Sequence, residues 1–353
     1  MKQELKDFFK SLVETPGCSG FEQAVQNVVR NFVQPYCQNI TTDVHGNVMA
    51  HKVGTGNVRL MLAGHADEIG LMVKYIDENG FLYFDAIGGI DFTILPGLRV
   101  NLINGKEMIR GVIGKKPIHL LKTDERDKGA KREDLFIDIG AKNKEEAEKK
   151  VSIGNFATFS PGLEYLTDDI VVTKATDNKA GVLVAMGVLH ELQNEQIEAH
   201  VYAVSTVQEE IGIRGARTSA FNIDPHVGIA IDVTHATDYP TVNKTSHGDC
   251  KLGKGAVISV GANINPVVYE MLKNAARTAN VSFQIEAAPG ATGTDANFIQ
   301  INKSGVAAAL VSIPNRYMHT PNEVICISDL EAAIKIIAQF ARDLKDSTSL
   351  IPV

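Results

Sequence analysis

The sequence predicts an α/β protein, with a mixed, mainly parallel sheet, helices on both faces and an inserted β-rich unit. Three observations carry that expectation. Apolar, β-branched runs recur at 58–67, 169–177, 200–210, 227–233 and 306–314, and such continuous runs suit strands buried on both faces of a parallel sheet. Amphipathic stretches separate or follow them, at 22–34, 178–193, 266–280 and 329–345. Residues 69–165 differ, holding short strand-like runs and no helical stretch longer than 142–150. Alternating strands and helices define an α/β domain, here 1–68 with 166–353, and the β-rich insert spans 69–165.

Taken in order, the first element is a helix in which Leu5, Phe8, Phe9 and Leu12 form one apolar stripe. Within the insert, 69–88 reads as a hairpin with Asn79-Gly80 as its turn. Further strand-like runs follow at 97–104, 109–114, 135–139 and 156–159. The segment 122–134 is densely charged with almost no apolar residue, which predicts a mobile loop. In the final helix Leu330, Ala333, Ile334, Ile337, Phe340, Ala341 and Leu344 recur at helical spacing.

Composition narrows the function. The 353 residues include 35 basic and 42 acidic ones, a formal charge of −7. A net acidic chain without a basic stripe argues against nucleic acid as a partner. No apolar run approaches the roughly 20 residues of a membrane span, and the start lacks a signal-peptide core. Cys18, Cys37, Cys250 and Cys326 are widely separated, as free thiols of a reducing cytoplasm would be.

In an open α/β sheet, ligands collect at the carboxyl ends of the strands. Each apolar run ends in a candidate ligand or base: His65 and Asp67, Asp177, Glu209 and Glu210, Asp232, and, after a short loop, His319. A three-residue window holds His, Asp or Glu by chance about 40% of the time, so five of five is roughly a 1% event. Imidazoles with carboxylates and no nearby cysteine suit Zn²⁺, Co²⁺ or Mn²⁺. Three ligand carboxylates and two divalent ions leave one positive charge for a bridging hydroxide, and a further carboxylate must move the proton. At a strand end both Glu209 and Glu210 can reach one cleft. Asp67, two residues from His65, can orient its ring. Each residue alone has a structural reading, Asp177 as an N-cap for instance; the constellation favours a site. ATGTD (291–295) is glycine-rich but matches no phosphate-binding loop.

PGCSGFE (16–22), GHADEIG (64–70), ATDNKAG (175–181), TVQEEIGIRGA (206–216), IDVTHATD (231–238), LGKG (252–255), TGTDAN (292–297) and IPNRYMHTPNEV (313–324) occur in this order. The chain thereby resembles the cytosolic di-metal aminopeptidases, which include tetrahedral aminopeptidases, bacterial glutamyl aminopeptidase and relatives labelled endoglucanase. The resemblance implies a phosphorylase/hydrolase-like catalytic domain with a PDZ-like insert, in dimers that assemble to a tetrahedral dodecamer. It implies one metal held by His65 and Asp232, another by Glu210 and His319, and Asp177 bridging them. Asp67 and Glu209 fall at its catalytic pair, with Glu209 as general base, and a cis peptide follows the bridging Asp177. Ala66 stands where relatives often have methionine. Peptides with a free N-terminus are the implied substrates, with an acidic preference among the options. Lys244, Lys251 and Arg316 are candidates to meet an acidic side chain. An endoglucanase-type glycosidase and a non-catalytic peptide-binding scaffold remain the alternatives.

Overall fold

Alternation along the strand Arg59–His65 sets the architecture of the larger part of the molecule. Leu60 and Leu62 enter one core and Met61 and Ala63 another, all four fully buried. A strand covered on both sides has no polar face, which is why its sequence is apolar without a break. The computed structural model describes all residues except 124, 125, 127, 161 and 353. The charged segment predicted as a mobile loop therefore lies partly outside the described residues. Its end forms a short helical turn at Arg132–Asp134, with Arg132 paired to Asp85 at 2.6 Å.

The chain divides into two compact units. The first comprises Met1–Asp67, Gly162–Met318 and Asn322–Val353; the second comprises Glu68–Pro161 and His319–Pro321. In the first, eight strands form one sheet in the order Asn39–Thr42, Val48–Lys52, His200–Thr206, Arg59–His65, Val227–His235, Ala307–Asn315, Ala256–Gly261, Phe283–Ala288. The four strands from His200–Thr206 to Ala307–Asn315 run parallel. Antiparallel pairings flank them on both sides, so the sheet is mixed.

The helix Thr176–Glu191 is buried from Thr176 to His190. It packs on the parallel strands and is covered in turn by Gln3–Glu14 and Ile327–Asp343. Leu5, Phe8, Phe9 and Leu12 of the first helix are buried there. Arg214–Ile223 and Ala296–Gln300 close the opposite face through Ala216, Ala220, Ile223 and Ile299.

One of the five apolar runs departs from expectation. Ile170–Thr173 does not join the main sheet but forms a small antiparallel one with Glu164–Tyr165 and Glu323–Cys326. A four-residue apolar strand looks the same locally in either sheet; its partners lie far along the chain.

The second unit closes six strands into a barrel: Gly70–Ile76, Leu82–Ile87, Phe136–Asp138, Glu107–Gly114, Arg99–Asn104 and Phe156–Phe159. Leu71, Val73, Leu82, Leu102, Ile113 and Ile137 fill its interior. The expected hairpin is present, but its turn spans five residues. Asp77 accepts the backbone N–H groups of Asn79 and Phe81, and Gly80 takes a positive φ of 90°.

The four cysteines form no disulfide among the described residues; Cys37 is half-buried and the others are buried. Among the described residues, no helix is long and apolar enough to cross a membrane.

Two glycines let the buried helix approach the sheet. A Cβ on Gly181 would lie 2.3 Å from the Ile231 carbonyl oxygen, and one on Gly64 would lie 2.3 Å from the Gly181 carbonyl carbon. Gly181→Ala should therefore destabilise the protein by about 1–3 kcal/mol through overpacking. Gly290→Ala, where nothing lies within 4 Å of the added carbon, should stay within about 0.5 kcal/mol of the wild type. Denaturant midpoints of both variants check this; equal midpoints would refute the close-approach argument.

Candidate metal centre

His65 is the last residue of its strand, 1% exposed, and is held at both ring nitrogens. Nδ1 lies 3.1 Å from the Asp67 backbone carbonyl oxygen and 3.5 Å from Asp67 Oδ1. With a proton donated there, Nε2 is the atom left facing the carboxylates. Asp177 Oδ1 stands 3.2 Å from it, Glu209 Oε2 3.8 Å and Asp232 Oδ1 3.9 Å. Ligand atoms of His65, Asp177 and Glu210 all lie within 4.8 Å of one another, a spacing that one cation can span.

Each carboxylate is placed by a different element. Asp177 sits in the first turn of Thr176–Glu191, not at a strand end, and its N–H donates to Glu323 Oε2 at 3.0 Å. The Thr176 hydroxyl donates to the same oxygen at 2.5 Å. The Asp177–Asn178 peptide is cis, as the resemblance implies. Asn178 donates to the Ile231 carbonyl at 2.7 Å, tying the helix start to the strand that carries Asp232. Asp232 itself lies within Val227–His235, with Oδ1 accepting the Val233 N–H.

Glu209 and Glu210 follow His200–Thr206, and their N–H groups donate to Asp67 Oδ1 at 3.0 Å and Oδ2 at 3.1 Å. Asp67, fully buried, also accepts from the Ser19 hydroxyl at 2.7 Å. It therefore touches both the His65 ring and the glutamate pair. His319 belongs to the second unit, where its Nδ1 lies 2.8 Å from the Gly89 carbonyl oxygen.

The electrostatics are lopsided. Burial disfavours charge on His65, but Asp177, Asp67 and Glu209 outweigh it and hold the ring's pKa well above the usual imidazole range. Burial, resisted by His65 and reinforced by Asp232, Asp295 and Glu210, pushes Glu209 up to about 9. Burial also pushes Asp232 up to about 8, against His65 and with Asp177. Asp67 stays below its ordinary value: its burial is outweighed by His65, Ser19 and the Glu209 N–H. One imidazolium cannot balance this many buried carboxylates, so they hold protons unless another cation arrives. The donor set, oxygens with one imidazole and no thiolate, suits Zn²⁺, Co²⁺ or Mn²⁺. The residues present fit a divalent cation.

Sequence reasoning missed several supporting groups. Asp295, within TGTDAN, is 2% exposed; its Oδ2 accepts from Thr206 at 2.7 Å and burial lifts it to about 6. Its segment reads in sequence as a glycine-rich loop, and nothing local marks the acid. Glu323, which holds Asp177, was likewise only part of a longer motif. The basic residues considered for an acidic substrate are already engaged: Lys244 and Lys251 with Asp249 at 2.6 and 3.0 Å, Arg316 with Asp238 at 2.7 Å.

The mixed α/β fold and its buried carboxylate–imidazole cluster point to a hydrolytic enzyme. Within that class the chain belongs to the M42 glutamyl aminopeptidase family, which it matches over residues 46–336, and it is a peptidase of aminopeptidase type. It is 36% identical over 343 residues to the lysyl aminopeptidase of Pyrococcus furiosus, covering 96% of this chain and 97% of that one. The TET aminopeptidase from the marine sediment archaeon Thaumarchaeota archaeon SCGC AB-539-E09 superposes with a TM-score of 0.92 at 32% identity, covering 97% of each chain. The TET1 peptidase of Pyrococcus horikoshii, which can assemble into a tetrahedron or a large octahedral shell, has a TM-score of 0.85 at 30% identity, covering 96% of this chain and 100% of that one.

These raised carboxyl groups give the cation-free protein a defined pH response. Glu209 and Asp232 titrate in the native state near 9 and 8, against ordinary values of 4.5 and 3.8. The native state then binds more protons than the unfolded one across that interval, so stability falls as pH rises through it. After chelation the melting temperature should be lower at about pH 8.5 than at about pH 5.5, and added Zn²⁺ should restore more at the higher pH. A melting temperature that rises with pH after chelation would contradict this charge balance.

Proposed function

We propose that the chain is a metal-dependent aminopeptidase that removes N-terminal residues from short peptides with a free N-terminus. The observation that carries this reading is the convergence of Asp177, Glu209, Glu210 and Asp232 on the buried ring of His65. His65 and Asp232 would hold one ion, Glu210 and His319 a second, and Asp177 both, as the family resemblance implies. Zn²⁺ or Co²⁺, with Mn²⁺ as a further choice, would supply Lewis-acid polarisation of the scissile carbonyl and a lowered pKa for the attacking water.

The chain's own residues do the remaining work. Glu209 takes the proton of the attacking water and delivers it to the leaving amine. Asp67 holds the Glu209 backbone and the His65 ring in one geometry, so that base and ligand keep a fixed relation. Gathered buried carboxylates with an imidazole suit peptide hydrolysis better than glycoside cleavage, which needs no histidine, and the chain has no Trp for sugar stacking.

An acidic N-terminal preference rests on the family's glutamyl name alone, because Lys244, Lys251 and Arg316 are each ion-paired. The unit 1–68 with 166–353 is the catalytic domain in this reading. The insert 69–165 is a PDZ-like assembly module that joins dimers into a tetrahedral dodecamer in the cytoplasm, as the family resemblance implies; the assembly part is supported by the Pyrococcus horikoshii relative, which can form a tetrahedron.

The test separates the two adjacent glutamates. Glu209→Gln should keep its metal and lose about 10²–10⁴-fold in kcat with little change in KM. Glu210→Gln should lose metal occupancy. Metal content by mass spectrometry, with kinetics on a panel of aminoacyl-p-nitroanilides in Zn²⁺, Co²⁺ and Mn²⁺, reads both outcomes. Metal loss from Glu209→Gln alone would exchange the roles, and full activity in both variants would place the site elsewhere.

A further inference from the structure

At Thr206 the chain leaves the sheet, and its backbone N–H groups lose their strand partners. Four consecutive ones are then met by side chains. Val207 N donates to Asn47 Oδ1 at 3.1 Å, and Gln208 N to Glu22 Oε1 at 3.1 Å. Glu209 N and Glu210 N donate to the two oxygens of Asp67. The acceptors are 0–4% exposed and come from the first 67 residues of the chain.

Each acceptor is itself fixed. Asn47 Nδ2 donates to Asp43 Oδ2 at 2.7 Å and to Thr218 Oγ1 at 2.8 Å. Glu22 Oε1 also accepts the Gly20 N–H at 2.8 Å. On the far side, Gly215 N donates to the Val207 carbonyl at 2.9 Å. A Cβ on Gly215 would lie 2.4 Å from both Asn47 Oδ1 and Val207 O, so the packing admits only glycine there.

The segment needs such support. Gln208, immediately before the two glutamates, has a φ of 54°, a left-handed conformation that a non-glycine residue adopts at a cost. Chain leaving a sheet would otherwise satisfy its N–H groups with water and wander among conformers. Here a row of buried oxygens prescribes the path of 207–210, and that path aims the Glu209 and Glu210 carboxylates.

We infer that Glu22 and Asn47 are positioning residues for the glutamate pair, acting through side-chain oxygens that hold the backbone of 207–210. This rests on the roles proposed above for Glu209 and Glu210. What Glu22 must supply is an oxygen at the right place, and charge is incidental. Gln at position 22 keeps that oxygen at the same reach. Asp keeps the charge but withdraws the oxygen by one bond, about 1.5 Å.

The two conservative variants therefore predict an order that a charge-based or proton-transfer role would reverse. In the full-length, metal-loaded protein, Glu22→Gln should keep kcat within about threefold of the wild type. Glu22→Asp should lose about 10–100-fold in kcat at full metal content, with KM within about threefold, because a misplacement near 1 Å costs up to 10²-fold. Measurement combines kcat and KM on the best p-nitroanilide, metal content and the melting temperature, with Glu209→Gln as reference. If Glu22→Gln falls as far as Glu22→Asp or further, or if both match the wild type, the positioning role is overturned. A fully active Glu209→Gln would instead remove the base assignment itself, a separate result.

Discussion

Buried negative charge around a single imidazole is the constraint to which the first unit is built. An ionised carboxylate taken out of water without a partner costs several kcal/mol. Here Asp177, Glu209 and Asp232 all lie within 4 Å of one nitrogen of His65. Such a cluster persists only if its charge is neutralised, by protons or by cations. The lifted proton affinities of Glu209, Asp232 and Asp295 show the first solution, and the donor geometry of His65, Asp177 and Glu210 suits the second. Gly64 and Gly181 serve the same end, because only without side chains can the helix bearing Asp177 approach strands bearing His65 and Asp232.

A second layer of buried acceptors fixes this arrangement. Asp67 spends both carboxylate oxygens on the backbone of the glutamate pair while its own carbonyl steadies His65. Asn47 and Glu22 extend that row by two residues toward the strand. Glu323 does the equivalent for Asp177 from another sheet. In each case a carboxylate or amide from one part of the chain satisfies backbone donors of another, which is how irregular chain at a sheet's edge acquires a single path.

Much of this was legible in the sequence, for physical reasons that differ by residue. The parallel strands were readable because burial on both faces forces unbroken apolar runs, and the amphipathic helices because one stripe meets the core. His65, Asp67 and the glutamates stood out as polar residues at the ends of such runs. The edge strands Asn39–Thr42 and Phe283–Ala288 leave no such signal because they are short and partly exposed, without an apolar run. Ile170–Thr173 pairs in a sheet other than the one its apolar run predicts, since pairing is a long-range fact that a local pattern does not carry. Asp295, Glu323, Glu22 and Asn47 act through contacts with chain up to 186 residues away, and no spacing rule reaches that far. The division of ligands between two ions came from family likeness, not from pattern.

The central claim is that this cluster exchanges protons for a divalent cation, and calorimetry addresses it most directly. Titrating the chelated protein with Zn²⁺ at pH 7, in buffers of different ionisation enthalpy, counts the protons released per ion bound. With Glu209 near 9 and Asp232 near 8 before binding, the account predicts tight binding with net proton release that diminishes as the pH approaches 9. Binding without proton release at pH 7, or no binding at all, would contradict it.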